Sequence, residues 1–429
     1  MDHNVDNHDY KDPAMAGSQR KPDPGRPRIL LVTPQPYYEE RGTPIAVSLA
    51  ARAMVESGFG VDLLSFPLGE AAAVPGIRIE RCGNPFGVRH VRIGFSAGKL
   101  LLDASLLRSF EHLLARRRYV AVHAVEEAAW LASVLCPLHG VRFVYDMASA
   151  IPNQVRNHWL LGRQPIQFLL RAAERRVIKR AAHVVCSGGL ADHVRELVPD
   201  AAVTEWRFPA SDERVDPSTV AALCRRHQIA QDDHVLLYAG NFSSYQGIEL
   251  LREAFIREAA SDPDLLLVCI GAADQKDAHL FMSHVPEPLR GRVRVVRRQP
   301  RAMMPAWLAL ADCLVSLRTS GDNVPLKVFE YMAAGKPIIA TAGPAHQPLL
   351  NDTRAFLCTT DITGVAGAIR RVFADPGHAS VIGERAAEYA SRHFSWTRFR
   401  ELVAGVYMDV LRAPLPVPRP ATGPAARPR

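Results

Sequence analysis

The stretch Asp322-Asn323-Val324-Pro325-Leu326-Lys327-Val328-Phe329-Glu330, continued by YMAAGKPIIAT (331–341), decides how the chain is read. Val324-Pro325 reads as a loop that opens a helix, because the fixed φ of proline suits the first helical turn. From Leu326 to Ala334 the pattern is helical, and Gly335-Lys336-Pro337 stops it. IIAT then reads as a buried strand. Lys327 and Glu330 share a helix face. A cation and a carboxylate at a helix N-terminus beside a strand end suit a phosphorylated sugar or nucleotide. Lysine and backbone N–H groups neutralise phosphate, while a carboxylate accepts hydrogen bonds from sugar hydroxyls. The bland alternative is a solvated helix face, where Lys–Glu pairs at this spacing are common.

Around this stretch the chain alternates strand and helix. RILLVT (28–33), VDLLSF (61–66), YVAVHAV (119–125), RFVYDM (142–147) and HVVCSG (183–188) read as strands, with SLAARAMVESG (48–58) as a helix. The theme restarts with HVLLYAG (234–240), LLLVCIG (265–271), RVRVV (292–296), CLVSL (313–317) and PIIAT (337–341). Near-continuous apolar strands separated by helices indicate parallel sheets covered on both faces. Two nucleotide-binding-type halves, divided near residues 205–216, are the simplest account. Ligands of such sheets bind beyond the carboxyl ends of the strands, so the informative loops follow strands.

The chain has 429 residues, 48% hydrophobic and 22% charged, the balance of a globular protein large enough for two domains. No run of eighteen apolar residues occurs, and the polar, acidic N-terminus is no secretory signal. Seven dispersed cysteines read as reduced core residues in a cytoplasmic protein, forming neither a disulfide framework nor a zinc site. A net charge of +8, with no dense Lys/Arg tract interleaved with aromatics, argues against nucleic acid. It suits an anionic substrate or an anionic membrane surface. Residues 1–27 read as a disordered arm, in which Asp9-Tyr10-Lys11-Asp12 resembles the core of an epitope tag. The Pro-rich tail 413–429 reads as extended and unpacked.

The 322–341 segment resembles the donor-binding signature of the retaining glycosyltransferases of the GT-B fold, family 4. That signature is a Glu, seven residues, a second Glu, an apolar helix and a G-x-P-hydrophobic strand; here Asp322 replaces the first Glu. The resemblance implies an α/β protein with two Rossmann-like domains facing across a cleft: an acceptor domain (28–205), a donor domain (216–394) and a helix crossing back (395–412). It implies that Glu330 holds the ribose. Asp322 and the backbone of Asn323, Val324, Pro325 and Leu326 would lie near the transferred sugar, with Lys327 at the diphosphate. Arg41-Gly42-Thr43-Pro44, just before a helix, holds the place of the family's glycine-rich loop, so Gly42 and Thr43 would meet the donor. Gly240, Asn241 and Gln246 hold the place of the diphosphate clamp. Many relatives carry cations at the Asn241 and Gln246 positions; this chain does not, which shifts weight to Lys327, helped by Arg318.

In the first half, AVHAVEEAAWLA places His123 at a strand end where relatives read H-x-H, with Val125 at the second His position. His123 and Asp146, the latter in VYDMASAIPNQVRN, are the candidate catalytic residues there; a satisfied core histidine is the bland reading of His123. Tyr37-Tyr38 and Glu39-Glu40 are acceptor contacts or plain loop decoration. RRRY (116–119), RAAERRVIKR (171–180) and the amphipathic FSAGKLLLDASLLRSFEHLLARRR suit lipid phosphates or a solvated face.

The expectation is therefore a cytoplasmic glycosyltransferase, either free or peripheral at the inner face of the membrane. It would use a UDP- or GDP-sugar donor, no metal or other cofactor, and a glycan, lipid-linked or small-molecule acceptor. A nucleotide-sugar epimerase of the same fold and a catalytically silent binding module are the rivals.

Overall fold

The structure, a computed structural model, describes residues 25–70, 74–91, 97–154, 163–210 and 214–415. Most of the N-terminal arm, the tail from 416 and the Phe95-Ser96 start of the amphipathic stretch lie outside the described residues.

The first half runs β1 (Arg28–Pro36), α1 (Gly42–Glu56), β2 (Gly60–Phe66), β3 (Ile77–Arg81), α2 (Ala97–Arg116), β4 (Ala121–Val125) and α3 (Ala128–Leu138). It continues through β5 (Arg142–Met147), α4 (Ile151–Gln154), α5 (Gln164–Arg180), β6 (His183–Cys186), α6 (Leu190–Leu197) and β7 (Val203–Glu205). The second half opens with α7 (Pro217–His227), β8 (His234–Ala239), α8 (Ile248–Glu258), β9 (Leu265–Ala272), α9 (Gln275–Ser283), β10 (Val293–Arg297) and α10 (Met304–Leu310). It closes with β11 (Cys313–Ser316), α11 (Leu326–Ala334), β12 (Ile338–Thr341), β13 (Phe356–Cys358), α12 (Ile362–Ala374), α13 (Pro376–His393) and α14 (Trp396–Arg412).

Each half forms one parallel sheet, in the orders β3-β2-β1-β4-β5-β6-β7 and β10-β9-β8-β11-β12-β13. The chain thus adopts the expected α/β architecture of two Rossmann-like units. Central strands are buried almost throughout, β2 along its whole length and β1 at all but Arg28, which is why they read as unbroken apolar runs. The strand order reverses between β1 and β4 and again between β8 and β11, and these switch points open the crevices in which ligands bind.

Three strands escaped the sequence reading. β3, β7 and β13 are short and lie at or next to a sheet edge, where one-sided burial leaves no long apolar run. α1 starts at Gly42, six residues before the expected helix, so Arg41-Gly42-Thr43-Pro44 forms its N-cap and first turn rather than a preceding loop. α14 packs on the first half: Phe399, Val403, Tyr407 and Val410 are buried in the same cluster as Ala50 and Met54 of α1. The Tyr407 hydroxyl donates to Met54 Sδ at 3.6 Å. Phe208, on the segment between the halves, packs edge-on against Phe329 of α11 and tilted against Phe399, tying the connection to both. Six of the seven cysteines are buried as free thiols.

Candidate active site

Beyond the carboxyl ends of the two sheets lies a cavity of about 1000 Å3. That is at the top of the ordinary range for ligand pockets, roughly 300–1000 Å3. Gly42, Thr43 and Asp146 line it from the first half; Gly240, Asn241, Gln246, Asp322, Asn323, Val324, Pro325, Leu326, Lys327 and Glu330 line it from the second.

α11 delivers the key groups of the second wall. Its N-cap residue, Pro325, makes no side-chain capping bond, so the first-turn N–H groups keep their capacity for an anion. Lys327 is half-buried, with its Nζ shielded from solvent. Its Nζ finds no hydrogen-bond partner among the described residues and stands 4.1 Å from the centroid of the Tyr238 ring. Burial holds this amine well below the usual lysine range, and repulsion from Arg318 adds to the effect. Charging an unpaired buried amine costs several kcal/mol, which an anion entering the cavity would offset. Gly240 makes room for it: a Cβ there would lie 2.9 Å from Lys327 Nζ and 2.7 Å from the Tyr238 hydroxyl oxygen.

Arg318 is held beside it. Its Nη2 donates to Asn323 Oδ1 at 2.9 Å, and its guanidinium lies 5.0 Å from the Tyr245 ring centroid. Thr341 Oγ1 accepts from the Arg318 N–H at 2.9 Å and donates to the Arg318 carbonyl at 3.1 Å. Behind Thr341, His346 is fully buried against Ser316 Oγ at 3.0 Å and the Thr341 carbonyl at 2.9 Å. Burial pushes its imidazole down to about 4. Asn241 turns inward: its carbonyl accepts from the Tyr238 hydroxyl at 2.7 Å and its Oδ1 from the Ser243 N–H at 3.1 Å. It shapes the loop more than it offers charge. Gln246 is buried, with Oε1 unpaired among the described residues.

Glu330 does not pair with Lys327, although both ride on α11. Arg301 Nη2 lies 3.3 Å from its Oε1. Burial raises the Glu330 carboxyl, with Arg301 opposing that rise. Sequence reasoning passed over Arg301, whose only signal was RRQPR ahead of a helix. Asp322 stands where the halves meet: its carbonyl accepts from the Gly189 N–H at 3.2 Å.

On the first wall, the N-terminus of α1 at Gly42 and Thr43 likewise lacks a side-chain cap. Asp146, at the end of β5, faces the cavity. His123 does not. It lies within β4 rather than at its end, is fully buried and is absent from the cavity wall. Its Nε2 is 3.1 Å from Asp146 Oδ2 and its Nδ1 2.9 Å from the Tyr407 hydroxyl. The structure thus places His123 behind the cavity wall, bonded to Asp146 and Tyr407, and not among the residues that line it. Tyr407, at the far end of the chain, could not have been linked to it by any local sequence signal.

Comparison with known proteins gives this geometry its context. A family model described as "Glycosyl transferase 4-like domain" matches residues 41–205, and one described as "Glycosyl transferases group 1" matches residues 233–375. The glycogen synthase of Mycobacterium tuberculosis is 24% identical over 392 residues, covering 88% of this chain and 83% of that protein. The sucrose-phosphate synthase of Thermosynechococcus elongatus superposes with a TM-score of 0.75 at 17% identity, over 90% of this chain and all of that one (100%). HepE of Anabaena, solved with UDP-glucose, gives a TM-score of 0.68 at 16% identity, over 89% and 99% of the two chains. With one match on each half and the shared two-sheet architecture, the chain belongs to the glycosyltransferases of the GT-B fold.

Proposed function

We propose that the protein is a retaining, family 4-type glycosyltransferase that moves a sugar from a nucleoside-diphosphate donor to an acceptor hydroxyl. The observation that carries the donor assignment is the buried, unpartnered Lys327 amine at the cavity wall. Arg318 and two uncapped helix N-termini stand around the same cavity. Together they suit a diphosphate. Glu330 suits the ribose hydroxyls, and Asp322 with the Asn323–Leu326 backbone suits the sugar. UDP and GDP are the favoured carriers, and the capture of UDP-glucose by the similarly folded HepE supports the former.

In the reaction the acceptor oxygen bonds to the anomeric carbon as the bond to the diphosphate oxygen breaks. The diphosphate leaves with the electron pair and takes up the acceptor's proton. Lys327 and Arg318 stabilise the charge gathering on the leaving group, so this scheme needs no metal. Titration with UDP, GDP and ADP by calorimetry tests the donor assignment. Micromolar binding of at least one, lost in Lys327→Met, is expected; no binding of any would refute it.

The reading extends to a peripheral contact at the cytoplasmic face of a membrane. On α5, Phe168 and Leu169 are 71% and 65% exposed, with Arg171, Arg175, Arg176 and Lys179 exposed beside them. Apolar tips next to cations suit an anionic bilayer. The RRRY cluster contributes less, because Arg117 is engaged by Asp62 and Glu80. No helix among the described residues is long and apolar enough to cross a membrane. Co-sedimentation with phosphatidylglycerol vesicles but not phosphatidylcholine vesicles is expected, and equal recovery with both would refute the contact.

A further inference from the structure

The first wall carries a carboxyl that the donor does not use. Glu126 follows β4 directly, lines the cavity, and adopts φ 49, a left-handed backbone rare outside glycine. Its N–H is fixed by the Asp146 carbonyl at 2.9 Å. Its Oε2 accepts from Gln35 Nε2 at 2.6 Å, and Gln35 Oε1 accepts from Arg41 at 3.3 Å. The carboxyl is therefore held in one place at the wall.

Charge divides the cavity. On the first wall the cations are already matched, Arg41 to Glu39 at 3.0 Å and Lys99 to Glu127. Glu126 and Asp146 leave that wall acidic, while Glu40 is engaged by Tyr38 and Arg301. On the opposite wall Arg298, Arg301, Arg318 and Lys327 outnumber Asp322 and Glu330, the latter already matched to Arg301. An anionic group is favoured on the second wall and disfavoured on the first.

We propose that Glu126 binds the acceptor, accepting a hydrogen bond from its attacking hydroxyl or from an ammonium group beside it. The enzyme then selects neutral or amine-bearing polyols and rejects acceptors with a phosphate or carboxylate next to that hydroxyl. This rests on the donor reading above. Burial and the neighbouring Glu127 raise the Glu126 carboxyl to about 7. Lys99, Asp103, Glu127, Tyr145 and Asp146 are the other ionisable groups around it. Acceptor KM is expected to fall as pH rises through this range, as the carboxylate forms. Asp103, also raised to about 7 by burial and Glu127, is the group to separate from it.

The experiment measures transfer from UDP-glucose and GDP-mannose to glucose, glucosamine, myo-inositol and the phosphate ester of each. The uncharged and amino compounds should exceed their phosphate esters by at least about tenfold in kcat/KM. Glu126→Gln should raise acceptor KM about tenfold, flatten its pH dependence and leave nucleoside-diphosphate Kd unchanged, which also reports that it folds. Glu126→Asp should recover part of the loss, and Asp103→Asn should keep the pH profile. Preference for the phosphate esters, no transfer to any acceptor while donor binds, or a Glu126→Gln enzyme with wild-type KM and pH profile would overturn the proposal. A wild-type protein that binds neither donor fails the donor reading, and the proposal falls with it; that failure shows as absent nucleotide binding, not as altered acceptor kinetics.

Discussion

The amine of Lys327 rests over the ring of Tyr238, 4.1 Å from its centroid, with no hydrogen-bond partner among the described residues. A desolvated cation–π contact returns about 2 kcal/mol or somewhat more, against the several kcal/mol that burying an unpaired ammonium costs. The charged form is therefore disfavoured in the free protein, and an anion in the cavity would offset that cost. Lys327→Met keeps the bulk and removes the charge. It should raise the melting temperature by a few degrees while weakening nucleoside-diphosphate binding at least about tenfold. Scanning calorimetry and titration check the two halves of this prediction, and a variant destabilised yet fully able to bind would contradict it.

The same lysine makes donor binding depend on pH. Burial and Arg318 depress its pKa in the free protein, so the amine is neutral above that depressed value. A bound diphosphate supplies the missing counter-charge and moves the pKa back toward the ordinary 10.5. Between the two values binding takes up a proton, and affinity falls as pH rises. Titrations in phosphate and in Tris, whose ionisation enthalpies differ, should show net proton uptake in the wild type and none in Lys327→Met. Identical apparent enthalpies in both buffers for the wild type would count against it.

The second-half wall was legible in the sequence because one short helix and its entrance carry most of it. Pro325 opens α11, Gly335 closes it, and Asp322, Lys327 and Glu330 fall into place by local rules. The first wall was not, because its parts converge from distant segments. Glu126 is presented by a left-handed residue that no pattern announces. His123 needed Tyr407, 284 positions away, to be recognised as a buried support. Arg301 claims Glu330 from another helix entrance, which the i, i+3 spacing of Lys327 and Glu330 gave no reason to expect.

That pairing sets a further prediction. Glu330→Gln keeps a hydrogen-bonding side chain but gives up the charge that meets Arg301 and that is proposed to hold the ribose. Charged hydrogen bonds are worth about 1.5–3 kcal/mol, so nucleoside-diphosphate affinity should drop roughly 10- to 100-fold. A 2′,3′-dideoxynucleoside diphosphate lacks the hydroxyls that Glu330 is assigned to hold. It should bind the wild type and the variant about equally. If the variant instead loses the same factor for both nucleotides, Glu330 acts through Arg301 and not through the ribose.

The two halves approach each other closely at a glycine. Gly188 adopts φ 63, and a Cβ there would lie 2.8 Å from Val324 Cγ2 and 3.0 Å from the Asp322 carbonyl oxygen. The next residue, Gly189, donates its N–H to that same carbonyl. No side chain fits between β6 and the entrance to α11 while the halves stay this close. Gly188→Ala should therefore hold the cleft open, lowering kcat/KM about 100-fold or more through misplacement of donor against acceptor. Nucleoside-diphosphate affinity, carried by the second half, should change little. Small-angle scattering should report a larger radius of gyration with donor present. The strain of an alanine at positive φ is controlled by Gly58→Ala: Gly58 has φ 96, but nothing lies within 4 Å of its would-be Cβ. That variant should lose about 1 kcal/mol of stability and remain active. Equal activity losses in both variants would assign the effect to backbone strain and remove the case for Gly188 as the point of closure.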